Sequence, residues 1–190
     1  MLVLTGGDCF ERPDLVDLIE YAVGKGLHVS ISPSVTPLFT RERVKAVQDA
    51  GVSVMSMSLD GGSAETHDAF RGFPGTFDRT IEACHMLNEL GMRFQLNTVF
   101  TAKNIHEAPQ MLKNAIDLGA FMFYTFMLVP TGRGQHLDML TPHEREDVLH
   151  WLHDNSTRIA IKTTEAPQYR RIAFQREAVR QGKAAPVSYT

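Results

Sequence analysis

The arrangement of the chain follows from one short stretch near its start, Leu2-Val3-Leu4-Thr5-Gly6-Gly7-Asp8. Three apolar residues predict a short buried strand, and the two glycines predict a sharp turn at its end. Because glycine has no Cβ atom, the backbone there can take a positive φ and a ligand can approach its peptide groups. Asp8 then places a carboxylate at the carboxyl end of the strand. This combination is typical of a site for an amino group, and equally of a plain turn in an α/β protein.

Predicted strands and helices alternate along the rest of the chain. Apolar or alternating runs predict strands at residues 2–4, 27–32, 52–59, 94–100, 121–129 and 159–163. Between them lie amphipathic helical patterns, with a strong helix start at Thr141-Pro142-His143-Glu144 and a capping box at Asn104 and Glu107. Residues 63–75 are predicted as a long loop. Six alternations predict an α/β fold with a parallel sheet, either open or closed as a full or partial barrel.

Composition restricts the class of protein. With 190 residues and 43% hydrophobic residues, the chain can bury one sizeable core. We therefore expect one domain over residues 1–182 and a flexible tail over residues 183–190. The net charge of −3 gives no electrostatic preference for nucleic acid or for an anionic membrane. We see no apolar run of membrane-spanning length and no signal peptide, so we expect a cytoplasmic protein.

Polar residues recur where the predicted strands end. They are Asp8, Ser32, Ser58, Asp60 and Asn97, followed by the loop from Val129 onward. The carboxyl ends of parallel strands meet at one edge of a sheet, and ligands bind there in such folds. The sequence therefore predicts one site built from successive strand ends.

Other reactive residues have plain structural interpretations. Cys84 lies on an apolar helix face, so a buried structural thiol is the favoured interpretation, and Cys9 is a lone cysteine beside the predicted site. Three histidines of one helix could bind a metal but are more typical of a solvated face: His143, His150 and His153. The arginines from Arg170 to Arg180 also predict a wet helix surface. Arg71, close to Asp68 in sequence, fits a structural ion pair and a substrate clamp equally well.

Taken in order, the motifs resemble the radical S-adenosylmethionine superfamily over nearly the whole chain. Thr5-Gly6-Gly7-Asp8 resembles the Gly-Gly-Glu motif on that family's second strand. The later matches are Ser58-Leu59-Asp60-Gly61, the run from Glu65 to Gly72, Leu96-Asn97-Thr98-Val99, and Leu128 to Gly134. The chain is most similar to enzymes of haem and haem d1 biosynthesis, or to peptide-modifying relatives with an auxiliary-cluster extension. Ser32-Pro33-Ser34 departs from the more usual Thr-Asn-Gly.

The resemblance implies a partial parallel (β/α) barrel that lacks its first strand and helix. It also implies a role for each strand end. Gly6, Gly7 and Asp8 would hold the methionine amino group of S-adenosylmethionine. Ser32 and Ser58 would contact its carboxylate or its ribose. Asn97 would contact the ribose, and Val129 would contact the adenine. Asp60 and Arg71 would contact the substrate.

One expected motif is missing. The family binds a 4Fe-4S cluster through Cys-x3-Cys-x2-Cys, and this chain has two cysteines and no such spacing. We therefore expect a truncated core fragment, inactive alone, of an enzyme that uses an electron donor and acts on a small molecule, tetrapyrrole or peptide. The alternatives are a cluster-free binding or regulatory module and an ordinary barrel lyase. The absence of lysine from the strand ends named above disfavours Schiff-base chemistry. An exposed first strand would also permit a homo-oligomer.

Overall fold

A computed structural model describes residues 1–132 and 138–183 of the chain. Within this part, six parallel strands form one sheet in the order β1-β2-β3-β4-β5-β6. The strands are β1 (Leu2–Leu4), β2 (Val29–Ile31), β3 (Val52–Ser58), β4 (Phe94–Phe100), β5 (Met122–Met127) and β6 (Ala160–Thr164). The predicted α/β architecture is confirmed, and β1 and β6 form the two edges of a sheet that does not close. A homo-oligomer through β1 stays a prediction.

Seven α-helices connect or follow the strands within the described residues. They are α1 (Leu15–Gly24), α2 (Arg41–Asp49), α3 (Ala64–Arg71), α4 (Thr76–Glu89), α5 (Ala108–Asp117), α6 (Pro142–Asn155) and α7 (Gln168–Arg180). Short 3-10 turns occupy Cys9–Glu11 and Ile105–Glu107. The structure contains no helix, among the residues it describes, that is long and apolar enough to cross a membrane.

The prediction of a long loop over residues 63–75 was wrong, because α3 fills most of it. The Ser63 hydroxyl accepts a hydrogen bond from the Thr66 amide and caps the helix. Gly72, with φ +78°, ends it in the left-handed conformation. The helix is only eight residues long and mostly polar, so its apolar periodicity is too weak to identify it.

The two predicted helix starts, at Thr141 and at Asn104, have different outcomes. At α6, the Thr141 hydroxyl accepts from the Glu144 amide at 3.2 Å, and the Glu144 carboxylate accepts from the Thr141 amide at 2.8 Å, which confirms the prediction. The box at Asn104 was wrong, because Asn104 makes no capping bond and a 3-10 turn precedes α5. Glu107 instead accepts hydrogen bonds from the loop after β3, including one of 2.6 Å from the Gly62 amide.

The predicted loop after β5 and the predicted tail are only partly described. Arg133 and Gly134 of the loop lie outside the described residues, as do residues 184–190 of the tail. Two arginines of α7, which was predicted to have a solvated surface, form ion pairs. Arg171 pairs with Glu146 at 2.5 Å, and Arg176 pairs with Asp154 at 2.9 Å. These pairs connect α7 to α6.

The two faces of the sheet differ in chemistry. Successive residues of a strand point to opposite faces, so one face carries the buried side chains of Met57, Leu96 and Phe123 beneath the helices. The other face, called the open face below, is partly exposed and mostly polar or aromatic. On β3 to β6 it includes Ser56, Ser58, Gln95, Asn97, Tyr124, Phe126, Lys162 and Thr164, together with the aliphatic residues Val54, Val99, Met122 and Ala160. A barrel encloses this type of face, and here it is accessible.

A close contact at Gly61 sets the position of α3, which gives a test of the fold. A Cβ atom at Gly61 would lie 2.4 Å from the His67 backbone nitrogen, so Gly61→Ala must displace the helix. We expect this variant to lose about 2–3 kcal/mol of unfolding free energy. The measurement is urea denaturation followed by circular dichroism.

The matched control is Gly24→Ala at the end of α1. An added Cβ there meets no atom within 4 Å, and Gly24 does not have a positive φ. Alanine is favoured over glycine in helices, so this variant should be unchanged or more stable by up to about 1 kcal/mol. Equal losses in the two variants would contradict the close packing of α3 on Gly61.

Candidate functional site

The turn after β1 is open to ligands. Gly6 has φ +149°, and a Cβ atom built on Gly6 or on Gly7 would have no atom within 4 Å. The Gly7 carbonyl accepts a hydrogen bond of 2.9 Å from the Ser34 hydroxyl, in the loop after β2. The two glycines therefore present exposed backbone with free space in front of it.

Asp8 connects two strand ends. Its Oδ1 accepts from the Phe10 amide at 3.1 Å and from the Ser34 amide at 3.3 Å. Its Oδ2 accepts from the Thr36 hydroxyl at 2.6 Å, and the residue is 9% exposed. The carboxylate thus fixes the turn after β1 against the loop after β2, and a bound ammonium would have to share it with these donors.

Ser58 and Asn97 lie side by side on the open face. The register of β3 and β4 pairs these two residues directly, and neighbouring strands are about 4.8 Å apart. The Asn97 Oδ1 accepts a hydrogen bond of 2.8 Å from Gln95, which fixes the direction of its amide. Ser32 lies one residue beyond β2, and Val129 lies two residues beyond β5 and is about half exposed.

Asp60 is a nearly fully buried carboxylate, 1% exposed, that holds Arg71. Its Oδ1 accepts from the Val99 amide at 2.7 Å, and its Oδ2 lies 2.5 Å from the Arg71 guanidinium. Burial raises the pKa of Asp60, although Arg71 and the Val99 amide act in the opposite direction. The Arg71 side chain is 37% exposed, so a guanidinium held by a buried carboxylate reaches the protein surface.

The suggested partner of Arg71, Asp68, serves another purpose. It accepts hydrogen bonds from the Gly75 and Phe77 amides and from the Thr76 hydroxyl, at 2.5–2.8 Å. These bonds cap the start of α4, where amide groups lack partners within the helix. The structural ion pair that the sequence left open is therefore made with Asp60.

Sequence reasoning missed two residues that complete this arrangement. The Nδ1 of His67 accepts from the Asp60 amide at 3.0 Å, and the imidazole is buried. The Asn104 amide donates to the carbonyls of Asp60 at 2.9 Å and Val99 at 2.8 Å, and its Oδ1 accepts from the Thr101 amide. The available signals were a histidine in a supposed loop and an asparagine that resembled a helix cap.

The comparisons with known proteins identify the class. The sequence profile of the radical SAM superfamily matches residues 1–115. The chain therefore belongs to the radical SAM superfamily, and the resemblance drawn from its motifs is confirmed.

Individual relatives define its neighbourhood within that superfamily. The chain is 40% identical over 177 residues to the AdoMet-dependent heme synthase of Methanosarcina barkeri, covering 92% of this chain and 50% of that protein. It is 32% identical over 117 residues to the PqqA peptide cyclase of Methylocella silvestris, covering 62% of this chain and 31% of that one. The chain thus spans half or less of these relatives. Among solved structures, Streptococcus suis SuiB bound to S-adenosylmethionine has a TM-score of 0.66 at 14% identity, covering 85% of this chain and 38% of SuiB.

The cysteines of this chain do not fit the 4Fe-4S cluster of the superfamily. Cys9 is 7% exposed and Cys84 is fully buried. Burial, and for Cys9 also the charge of Asp8, raises the pKa of Cys9 to about 11 and that of Cys84 to about 12. Cluster ligands are thiolates, and three are needed, whereas the described residues contain no group of three metal-binding side chains.

The buried imidazole of His67 predicts a pH-dependent stability. Burial, assisted by Arg71, lowers its pKa from 6.5 to about 4. Between these values the unfolded chain binds a proton that the folded protein excludes. The contribution of neutral His67 to the unfolding free energy is therefore fully present above about pH 6.5 and is lost as the pH falls towards 4. We expect this loss to be about 1–3 kcal/mol.

The variant His67→Asn tests this expectation, because asparagine can accept the bond from Asp60 but does not titrate. Its unfolding free energy, measured in urea from pH 7.5 to pH 4.5, should fall less steeply than that of the wild type. His106→Asn, at a histidine whose side chain is 68% exposed, is the control and should follow the wild type. Parallel curves for wild type and His67→Asn would refute the assignment.

Proposed function

We propose that this chain is the part of a radical SAM enzyme that binds S-adenosylmethionine and a tetrapyrrole substrate. The observation that carries the proposal is the neighbouring pair Ser58 and Asn97, on an open sheet face beside an accessible glycine turn. The substrate class is supported by the 40% identity with a heme synthase over 92% of the chain. A peptide substrate is the second candidate, supported by the peptide cyclase at lower identity and coverage.

In this proposal, each strand end contacts a different part of S-adenosylmethionine. The exposed backbone at Gly6 and Gly7 accepts the methionine ammonium, and Asp8 contributes negative charge while it shapes the turn. The hydroxyls of Ser32 and Ser58 donate to the carboxylate or to the ribose. The Asn97 amide bonds the ribose hydroxyls, and the exposed Val129 side chain covers the adenine.

Arg71 is the proposed contact to the substrate, and Asp60 acts through it. Asp60 is too deeply buried to touch a ligand at the surface, whereas its ion pair restricts where the guanidinium can point. A guanidinium has five N–H donors, so one that is already paired can still bind a second carboxylate. Asp60 is therefore a positioning residue for an anion-binding arginine.

In this superfamily a 4Fe-4S cluster supplies the electron that cleaves S-adenosylmethionine. Because the two cysteines do not fit such a cluster, we assign this chain to binding and positioning, and the electron donor to the complete enzyme. The cluster-free module remains the competing hypothesis, and both hypotheses allow the chain to bind S-adenosylmethionine without turnover.

Calorimetry can test the proposed binding site directly. Without a cluster to chelate the methionine group, we expect the chain to bind S-adenosylmethionine only in roughly the millimolar range. Ser58→Ala and Asn97→Ala should each weaken binding about five- to tenfold, because each removes a hydrogen-bonding group. Ser53→Ala, at the other end of the same strand, is the matched control and should leave the affinity unchanged. Binding that is unaffected by Ser58→Ala and Asn97→Ala would place the site elsewhere.

Turnover provides an independent prediction. We expect the chain to release no deoxyadenosine from S-adenosylmethionine and a strong reductant, even after incubation with iron and sulfide. The physical reason is the lack of three accessible thiolates, as described for Cys9 and Cys84. Chromatographic detection of deoxyadenosine above a no-protein blank would overturn the assignment of this chain to binding alone.

A further inference from the structure

Lys162 lies in the same row of the open face as the proposed S-adenosylmethionine contacts. The strand register pairs Ser58 with Asn97, Asn97 with Tyr124, and Tyr124 with Lys162. Paired residues of parallel strands point to the same side of the sheet, and two strand spacings place Lys162 about 10 Å from Asn97. The lysine is exposed, so its ammonium faces the same space as the site.

The charge of Lys162 has no acidic partner within the described part of the chain. Ion pairs there use other lysines, such as Lys45 with Asp49 and Lys113 with Asp117. The Nζ of Lys162 instead lies 4.6 Å from the centre of the Tyr124 ring. The residues of β1 to β6 that share this face include no aspartate or glutamate. The face therefore presents a positive charge whose counter-ion must come from outside these strands.

A pair of aromatic side chains, packed against each other, adjoins this charge. The rings of Tyr124 and Phe126 are 4.4 Å apart between centres and tilted by 34°. The Tyr124 hydroxyl lies 2.5 Å from the Thr164 hydroxyl, which fixes the ring. This partly exposed pair offers an apolar contact to a large ligand, and the neighbouring Lys162 suits an anionic group on that ligand.

We propose that Lys162 binds a carboxylate of the tetrapyrrole, whose ring lies against Tyr124 and Phe126. This inference rests on the proposed function and adds a residue that selects for carboxylates. The substrate class is taken from the proposed function, and the aromatic pair adds an apolar contact beside the charge. Arg71 and Lys162 would then hold anionic groups at different positions on the substrate.

The test compares two probes and four proteins. Iron coproporphyrin carries carboxylates on its rim, and its methyl ester does not. Each is titrated by absorbance against the wild type, Lys162→Met, Lys162→Arg and Lys25→Met. Lys25 is the matched control, because its Nζ lies 5.3 Å from the Tyr21 ring on α1, a similar contact away from the open face.

We expect Lys162→Met to weaken binding of the acid at least tenfold, while Lys162→Arg stays within about threefold and Lys25→Met equals the wild type. Such a tenfold loss corresponds to about 1.4 kcal/mol. The ester should bind all four proteins equally and less tightly than the acid binds the wild type. The affinity for S-adenosylmethionine should be the same in all four, which also shows that the variants are folded.

The outcomes separate this inference from the proposed function. If the wild type binds the acid and Lys162→Met binds it equally well, the role of Lys162 is refuted and the tetrapyrrole class stands. Equal binding of acid and ester to the wild type also refutes the role of Lys162. If the wild type binds S-adenosylmethionine but neither porphyrin, the tetrapyrrole class is wrong and the inference falls with it.

Discussion

The burial of the Asp60 carboxylate is the constraint on which the site depends. A charge removed from water is costly unless it is paired and hydrogen-bonded. Asp60 meets this requirement with Arg71 and the Val99 amide, while its backbone bonds His67 and Asn104. The contacts reach α3, the end of β4 and the turn before α5. The position of an exposed guanidinium is therefore determined by groups that no ligand touches.

The two faces of the sheet have different environments, one apolar and buried and the other polar and partly exposed. Its helix-covered face is apolar and buried at Met57, Leu96 and Phe123, which supplies the hydrophobic contribution to folding. Its open face carries hydroxyl, amide and aromatic groups that stability alone does not demand. Because one-residue alternation fixes both faces together, a register slip would bury the polar set and expose the core. The same core that stabilises the fold therefore fixes the alignment of Ser58, Asn97, Tyr124 and Lys162.

The sequence was sufficient for the architecture because alternating apolar segments and strand-end polar residues are local signals. It predicted the parallel sheet, the glycine turn and the family, and it placed Ser58 and Asn97 on strands that the structure pairs. It could not identify α3, whose short polar pattern resembles a loop. It also could not assign Asn104 or identify Asp60 as the partner of Arg71. Those assignments depend on contacts between residues 11 and 44 positions apart, which leave no local periodicity in the sequence.

Asp8 shows why a motif residue and its chemical role have to be separated. The sequence suggests a carboxylate that is available to bind an ammonium, yet the side chain already accepts three hydrogen bonds within the protein. Those bonds fix the loop after β2 against the glycine turn, and they leave the backbone of that turn more accessible than the acid itself. Asp60 has the same relation to Arg71. In both cases a buried acid fixes the position of a more exposed group, and that group is the one able to meet a ligand.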